Sequence, residues 1–461
     1  VLDSLTVAVP DPAPGHPVGL SAAAWPGRTR GVGVEILTKI QGAPARADGV
    51  LREFLRDARA LHSRERRLVA ESVFDLLRYG DLVDLVGGVD PVGPNAALAR
   101  WLGWLVASGL PSDEAGAAWR DADAGPPPDF AALQAFHPSA CRAIGALDPV
   151  AAVARVAGVP GEVAARLIAD LGLDVGPFVA ASNQRAPMGL RANTTLATRD
   201  QVARRLADEG VPTRPSQWAT DALIAAAGVD LNGVAAFRDG WVEVQDEGSQ
   251  VVVDLARGLV AAEHVIDWCA GAGGKALALA AAWPRAHVLA LDTRPAALDE
   301  LARRARRARA HGRVEAAALH PDGRVPKKLS GRARGADVVL VDAPCTGTGT
   351  LRRHPELRLR LDERRILGLS RVQAEILDHA SRAVRPGGFL VYATCSVLAD
   401  ENERVVERFL DDHPDFVLVP AERALGARAH ELGDGRVVQV APHRHGTDAF
   451  FAAAMERRAG A

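Results

Sequence analysis

From Gly248 onward, short β-type apolar runs alternate with helical patterns, and that alternation confines the C-terminal half to a doubly wound parallel α/β sheet. Strands are predicted at 264–268, 287–292, 313–318, 337–342 and 389–394, then from Phe416 to Val419, Val437 to Ala441 and Ala449 to Ala454. In such sheets the loops after the carboxyl ends of the strands converge on one crevice. Three of these loops carry reactive side chains: 267–275 (Asp-Trp-Cys-Ala-Gly-Ala-Gly-Gly-Lys), 342–347 (Asp-Ala-Pro-Cys-Thr-Gly) and Thr394-Cys395-Ser396. A glycine turn, a carboxylate and two thiols are therefore expected to meet in one active-site crevice.

The remaining sequence is read as serving that crevice. A chain of 461 residues is too long for one ordinary domain. Residues 1–28, with several Pro and Gly and no periodicity, read as a tail. The stretch 29–124 is helical in pattern: Phe54, Leu55, Ala58 and Leu61 share one stripe, and so do Leu68, Val69, Val73, Leu76 and Leu77, with Ser63 as candidate N-cap. Arg28, Arg30, Arg64, Arg66 and Arg67 are expected on its polar surface. Gly125 and Pro126 to Pro128 mark a linker over 125–149. Residues 150–250 read as helices leading into a small α/β module, with strands expected around 183–193 and 240–246, and 251–461 form the α/β domain.

A net charge of −2 announces no nucleic-acid partner by itself, but from Arg303 to Arg334 basic residues far outnumber acidic ones, which suits phosphate binding. The bland alternative is a solvated helix face. Four cysteines in so long a chain exclude a disulfide framework. Cys141 reads as a buried small apolar residue, and the other three suit thiol chemistry in a reducing cytoplasm. No run is long enough to span a membrane and no signal peptide is seen, so a cytoplasmic protein without membrane contact is expected.

Gly271, Gly273 and Gly274 permit a tight turn whose N–H groups approach a ligand at a helix N-terminus, and Asp292 ends the next strand, where a carboxylate accepts from ribose hydroxyls. This pattern fits a nucleoside-containing cofactor, a dinucleotide included. It is not a P-loop, because Lys275 is followed by Ala276 rather than a hydroxyl residue. The thiols separate the readings. Two cysteines after strand ends beside Asp342 suit nucleophilic chemistry, and hydride transfer has no need of them.

On these motifs the chain resembles the RsmB type of the Sun/Nop family of bacterial ribosomal RNA methyltransferases. The match runs over Asp267 to Lys275, over Asp342 to Gly349 and over Tyr392 to Val397. Arg352 to Glu356, Gln373, Ile376, Leu377 and Glu401 to Glu403 resemble the family as well, as does the stretch Asn183 to Arg191. The resemblance implies a Rossmann-like class I methyltransferase domain with a mixed seven-stranded sheet, an N-terminal NusB-like helical domain that binds RNA, and a small α/β module between. It implies S-adenosyl-L-methionine as cofactor, no metal, and a monomer that makes 5-methylcytosine in small-subunit (16S) ribosomal RNA, in a single-stranded or loop region.

In the roles the resemblance implies, Cys395 adds to cytosine C6, Cys345 assists proton removal and product release, Asp342 activates the base and Lys275 positions cofactor or substrate. Cys269, Ala270, Gly273, Gly274, Lys275, Asp292, Asp322 and Asp342 are implied at the cofactor. The chain departs from the family at Ala272, where Pro is frequent, at Ala276 (Thr), at Ala297 (a basic residue) and at Ala449 (Gly). Three rivals stay open: a DNA cytosine methyltransferase attacking through Cys345, a non-catalytic RNA-binding assembly factor, and an NAD-dependent dehydrogenase.

Overall fold

The computed structural model describes residues 5, 9–10, 27–42 and 46–460. Apart from Leu5, Val9, Pro10 and the helix start at Gly27, the expected tail 1–28 lies outside them, as does the Arg28 side chain. The chain divides into two compact units, one of residues 1–184 with 351–363, the other of 185–350 with 364–461. Among the described residues no helix is long and apolar enough to cross a membrane.

The first unit is helical. Its core gathers Ile36, Leu37, Leu68, Leu82, Trp101, Leu102, Trp104 and Phe178, all almost fully buried. A Cβ at Gly33 would stand 2.3 Å from the Trp101 ring, so only glycine admits that packing. The buried Arg100 guanidinium meets Asp84 at 2.5–3.0 Å, which keeps a carboxylate tolerable in this core.

Several local expectations need correction here. The helix Ser63–Gly87 is capped by His62, not Ser63: the His62 N–H donates to the Glu65 carboxylate at 2.7 Å. Arg66 is not a free surface charge, since it donates to the carbonyls of Leu55, Ala58 and Leu61 and closes the end of the preceding helix, Ala47–Asp57. The prolines at 126–128 are non-helical, yet helices Phe130–Gln134 and Phe136–Gly145 follow at once. Phe130, Leu133, Phe136, Ala140 and Ile144 are buried, so 125–149 packs rather than links. Cys141 is only half-buried, its sulfur 3.9–4.0 Å from the His137 ring.

The second unit holds two sheets. Strands β1 (Met188–Ala192), β2 (Thr213–Pro215), β3 (Ala222–Ala225) and β4 (Val242–Val244) form an antiparallel sheet in the order β2-β3-β1-β4. Helix Arg199–Asp208 supplies Val202 and Leu206 to its core and opens on a Thr198–Gln201 capping box. The expected strand at 183–193 is shorter than its pattern, because Asn183 closes the helix Val175–Asn183.

The larger sheet comprises β5 (His264–Trp268), β6 (His287–Asp292), β7 (Val314–Ala318), β8 (Ala336–Asp342), β9 (Val384–Thr394), β10 (Phe416–Val419), β11 (Val438–Val440) and β12 (Phe450–Arg457). Its order is β10-β12-β9-β8-β5-β6-β7, with β11 beside β12. Strands β5 to β9 pair in parallel, and β12 runs antiparallel to β9, β10 and β11.

Side chains alternate between two buried faces, as the pleat requires. Val265, Val288, Leu340 and Val391 meet Leu255, Leu277 and Leu301 on one face. Ile266, Leu291, Val339 and Tyr392 meet Leu377, Val406 and Phe409 on the other. Truncating one such residue, for example Leu340→Ala, is expected to cost about 2–5 kcal/mol. Arg385-Pro386-Gly387-Gly388, which in the sequence reads as the stop of a helix over Gln373 to Val384, lies inside β9 instead. Ala336 pairs with Val384 while Val338 pairs with Phe389, so these residues form a bulge, with Gly387 at φ 71°.

Candidate active site

The order places the crossover reversal at β5, which pairs with both β6 and β8, and the three reactive loops leave the carboxyl ends of β5, β8 and β9. The loop after β5 begins with Cys269 at φ 70°, a conformation uncommon for a side chain larger than hydrogen, followed by Gly271 at 54° and Gly273 at 83°. Ala270 N–H donates to Leu291 O, and Gly273 N–H donates to Ala270 O. A Cβ on Gly273 would stand 2.5 Å from Leu301 Cγ, whereas one on Gly274 would meet nothing within 4 Å. The turn is thus packed below and open at Gly274, where helix Gly274–Ala282 starts.

Asp292 at the end of β6 is buried and accepts from Gly271 N–H at 2.8 Å and from the Arg294 N–H and guanidinium at 2.8–3.2 Å. Burial pushes its carboxyl up, but these donors overcome that and hold it below the usual range. Lys275, also buried, donates from Nζ to Asp342 Oδ2 at 2.8 Å, with the Phe450 ring 4.8 Å from the ammonium. The Cys269 thiol is pushed far up by burial first and then by Asp292 and Asp342, so it stays a neutral lining group.

The loops after β8 and β9 bring Cys345 Sγ and Cys395 Sγ to 3.3 Å. The Cys345 thiol is raised well above its ordinary value, by its contact with Cys395 first, then by burial and the nearby Glu401. Glu401, fully buried, holds this loop: it accepts from Thr346 N–H at 2.8 Å, from the Thr346 hydroxyl and from Gln373 Nε2 at 3.1 Å. Gln373 also donates to Pro344 O. On the other side, Gly349 N–H donates to Cys395 O at 2.9 Å, and Asn402 Nδ2 donates to Ser396 O at 3.0 Å. The residue pair is therefore framed by backbone bonds on both loops.

The structure brings together Cys269, Ala270, Gly273, Gly274 and Asp292 in and around the turn, and links Lys275 to Asp342 and Cys345 to Cys395. Asp322 stands apart from these contacts. It lies in the loop after β7, exposed and paired with Arg324, which holds its carboxyl below the usual range. Part of the basic run is committed to internal contacts, since Arg304 and Arg307 pair with Glu243 and Arg313 donates to Ala280 O, whereas Arg306, Arg309, Lys327, Lys328 and Arg334 are exposed.

Three contributors escaped the sequence reading as site residues. Asp267 is completely buried with no hydrogen-bond partner for either oxygen, and it is pushed up to about 8 by burial and then by Asp342. A carboxylate inside the apolar run Val265 to Trp268 was its signal. Glu401 and Gln373 were visible only as parts of a resembling motif. Among the described residues no cluster of His, Cys, Asp or Glu is arranged to hold a metal.

This architecture is the Rossmann-like fold of class I methyltransferases. The family description "16S rRNA methyltransferase RsmB/F" matches residues 257–456, and the ferredoxin-like domain of RsmF/B-like methyltransferases matches 160–232. The chain belongs to the RsmB/Nop (Sun) family. It is 35% identical over 278 residues to ribosomal RNA small subunit methyltransferase B of Serratia proteamaculans (strain 568), covering 60% of this chain and 61% of that protein. To the protein of the same name from Pectobacterium carotovorum it is 37% identical over 281 residues, with the same coverage. The chain thus spans about three fifths of the length of these relatives. Among solved structures, that of PH0851 superposes with a TM-score of 0.71 at 25% identity, covering 95% of this chain and 100% of the other. A methyltransferase homolog from Pyrococcus horikoshii gives 0.55 at 24% identity, covering 68% and 100%, a likeness of fold.

Proposed function

We propose that this chain is an RNA (cytosine-C5) methyltransferase that uses S-adenosyl-L-methionine and acts on 16S ribosomal RNA. The observation that carries the reading is the Cys345–Cys395 pair, 3.3 Å apart at the carboxyl ends of neighbouring parallel strands. The residues present fit the cofactor. Gly271 and Gly273 adopt left-handed conformations, Gly274 faces open space, and the carboxylates of Asp292 and Asp342 provide a negative surround for a sulfonium cation. Cys269, Ala270, Gly273, Gly274 and Asp292 would hold it, Asp292 at the ribose and Asp322 at the adenine; when bound it supplies an electrophilic methyl group.

Cytosine C5 is a poor nucleophile until a thiolate has added at C6. Cys395 is assigned that attack on the family resemblance, and Cys345, whose thiol is pushed up by the sulfur contact and by burial, lies beside it at 3.3 Å. Asp342, held by Lys275, hydrogen-bonds the ring and stabilises the charge that develops during addition. Cys345 then assists loss of the C5 proton, and elimination frees Cys395 and the product. The target base must leave its stack to reach Cys395, which favours a single-stranded or loop site. In this reading residues 29–124 dock RNA, 150–250 form the module between, and 251–461 perform transfer in a cytoplasmic, monomeric enzyme.

The test is transfer of labelled methyl from S-adenosylmethionine to undermodified small-subunit RNA, followed by bisulfite mapping. A single protected cytosine is expected. RNA that gains no label in the presence of folded, cofactor-binding protein removes the assignment and favours an assembly factor.

A further inference from the structure

The glycine turn is held from a direction that the transfer chemistry does not explain. Helix Pro295–Arg307 runs beneath it and places Leu301 under Gly273. One turn further on, Arg304 Nη1 donates to Ala272 O at 2.9 Å. Ala272 lies between two left-handed glycines, so its peptide could reorient at little steric expense. Two bonds oppose that: Gly273 N–H to Ala270 O, and Arg304 to Ala272 O.

The rest of the Arg304 fork belongs to the small module. Nε and Nη2 donate to Glu243 Oε2 at 3.0 and 2.9 Å, and Glu243 on β4 is 1% exposed. Arg307 already pairs with the same carboxylate, at 2.7–3.2 Å. One guanidinium suffices to neutralise one buried carboxylate, and the fully buried Arg191 lies opposite Glu243 on β1 as a further cation. Arg304 is therefore surplus to charge balance, and its remaining donor goes to the turn. The module also grips the end of this helix: Asn193 Nδ2 donates to Gly240 O at 2.8 Å and to Ala308 O at 3.0 Å. A Cβ at Gly240 would stand 1.9 Å from Arg307 O.

We propose that Arg304, oriented by Glu243 of the small module, is a positioning residue that presets the turn at 269–274 for the cofactor. The proposal rests on the methyltransferase reading above. The module then has a task beyond RNA, which is to fix the arginine that fixes the turn. A lysine in place of Arg304 keeps the charge, but its single ammonium cannot span a carboxylate and a carbonyl in the fork geometry. Arg307→Lys is the matched control, because it disturbs the same carboxylate without touching the turn.

The experiment measures binding of labelled S-adenosylmethionine by equilibrium dialysis with the full chain, alongside thermal midpoints and the KM values for cofactor and RNA. Arg304→Lys is expected to weaken cofactor binding about tenfold, the size of one charge-assisted hydrogen bond, and to raise the KM for cofactor while leaving kcat at saturation and the KM for RNA in place. Arg307→Lys is expected to lower the midpoint comparably but to change cofactor binding less than about twofold. Glu243→Gln should weaken binding in the same direction as Arg304→Lys. Equal effects of the two lysine variants on cofactor binding, or an Arg304→Lys protein that binds like the parent, overturn the proposal. A parent protein that binds no labelled cofactor overturns the underlying reading instead, a result distinct from either.

Discussion

Cys345 Sγ and Cys395 Sγ face each other across 3.3 Å as free thiols, each on the loop that follows one of two paired parallel strands. In the proposed reaction both sulfurs act on one base, and the same closeness makes the pair oxidisable. With hydrogen peroxide, two electrons leave the thiols, one S–S bond forms and two waters are released. Alkylation of the four free cysteines should then lose the Cys345–Cys395 pair alone, and methyl transfer should fall and return together with reduction. Peptide mapping that finds both sulfurs alkylated after activity is lost contradicts this.

Asp267 ties stability to pH. The folded chain keeps its proton up to about 8, while the unfolded chain releases it near the ordinary value of about 4. A raised acid is neutral in both states at low pH, and the unfolded state ionises first as pH rises. Stability therefore declines between those values, by at most about 1.4 kcal/mol per pH unit. Asp267→Asn should abolish that slope. The midpoint of the variant minus that of the parent should climb from roughly pH 5 to pH 8 and then level; a constant difference across that range would sink the idea.

Glu401 secures the loop that carries Cys345. Glu401→Ala strands the Thr346 N–H and one Gln373 donor in the interior, at about 1–3 kcal/mol for each donor left unpaired. Glu401→Gln retains an acceptor and should recover most of the loss. Chemical denaturation measures the stability, and single-turnover methylation should slow by about tenfold or more in the alanine variant as Cys345 loses its register. Equal rates in the alanine variant and the parent count against the loop-holding role.

Gly273→Ala combines a left-handed φ of 83° with a Cβ 2.5 Å from Leu301 Cγ. Strain of about 1–2 kcal/mol and crowding of about 1–3 kcal/mol should weaken cofactor binding by more than about tenfold. Adding Leu301→Ala removes the crowding but not the strain, so calorimetry should find partial recovery. No recovery in the double variant would mean that Leu301 does not set the turn.

How legible this was differed by length scale. Strands β5 and β6 stand where the apolar runs put them, because a sheet buried on both faces leaves unbroken aliphatic stretches. The sequence motifs likewise marked which loops leave the strand ends. Ends decided by single hydrogen bonds were misread, as at Ser63, and so was the bulge at Arg385 to Gly388, where a helix stop and a strand irregularity share the same Pro and Gly signal. Contacts between distant residues had no local pattern at all. Arg304 finds Glu243 across 61 positions and Gln373 finds Glu401 across 28, so one arginine of the basic run has a structural partner that no local pattern announces.

The division of labour between the two thiols is tested most directly by trapping on RNA that contains 5-fluorocytidine at the target, where fluorine at C5 blocks release. With labelled cofactor, the parent protein and Cys345→Ala should both form a covalent RNA adduct stable to denaturation, and Cys395→Ala should form none. An adduct that survives Cys395→Ala and disappears with Cys345→Ala would reverse the assignment and make Cys345 the attacking sulfur.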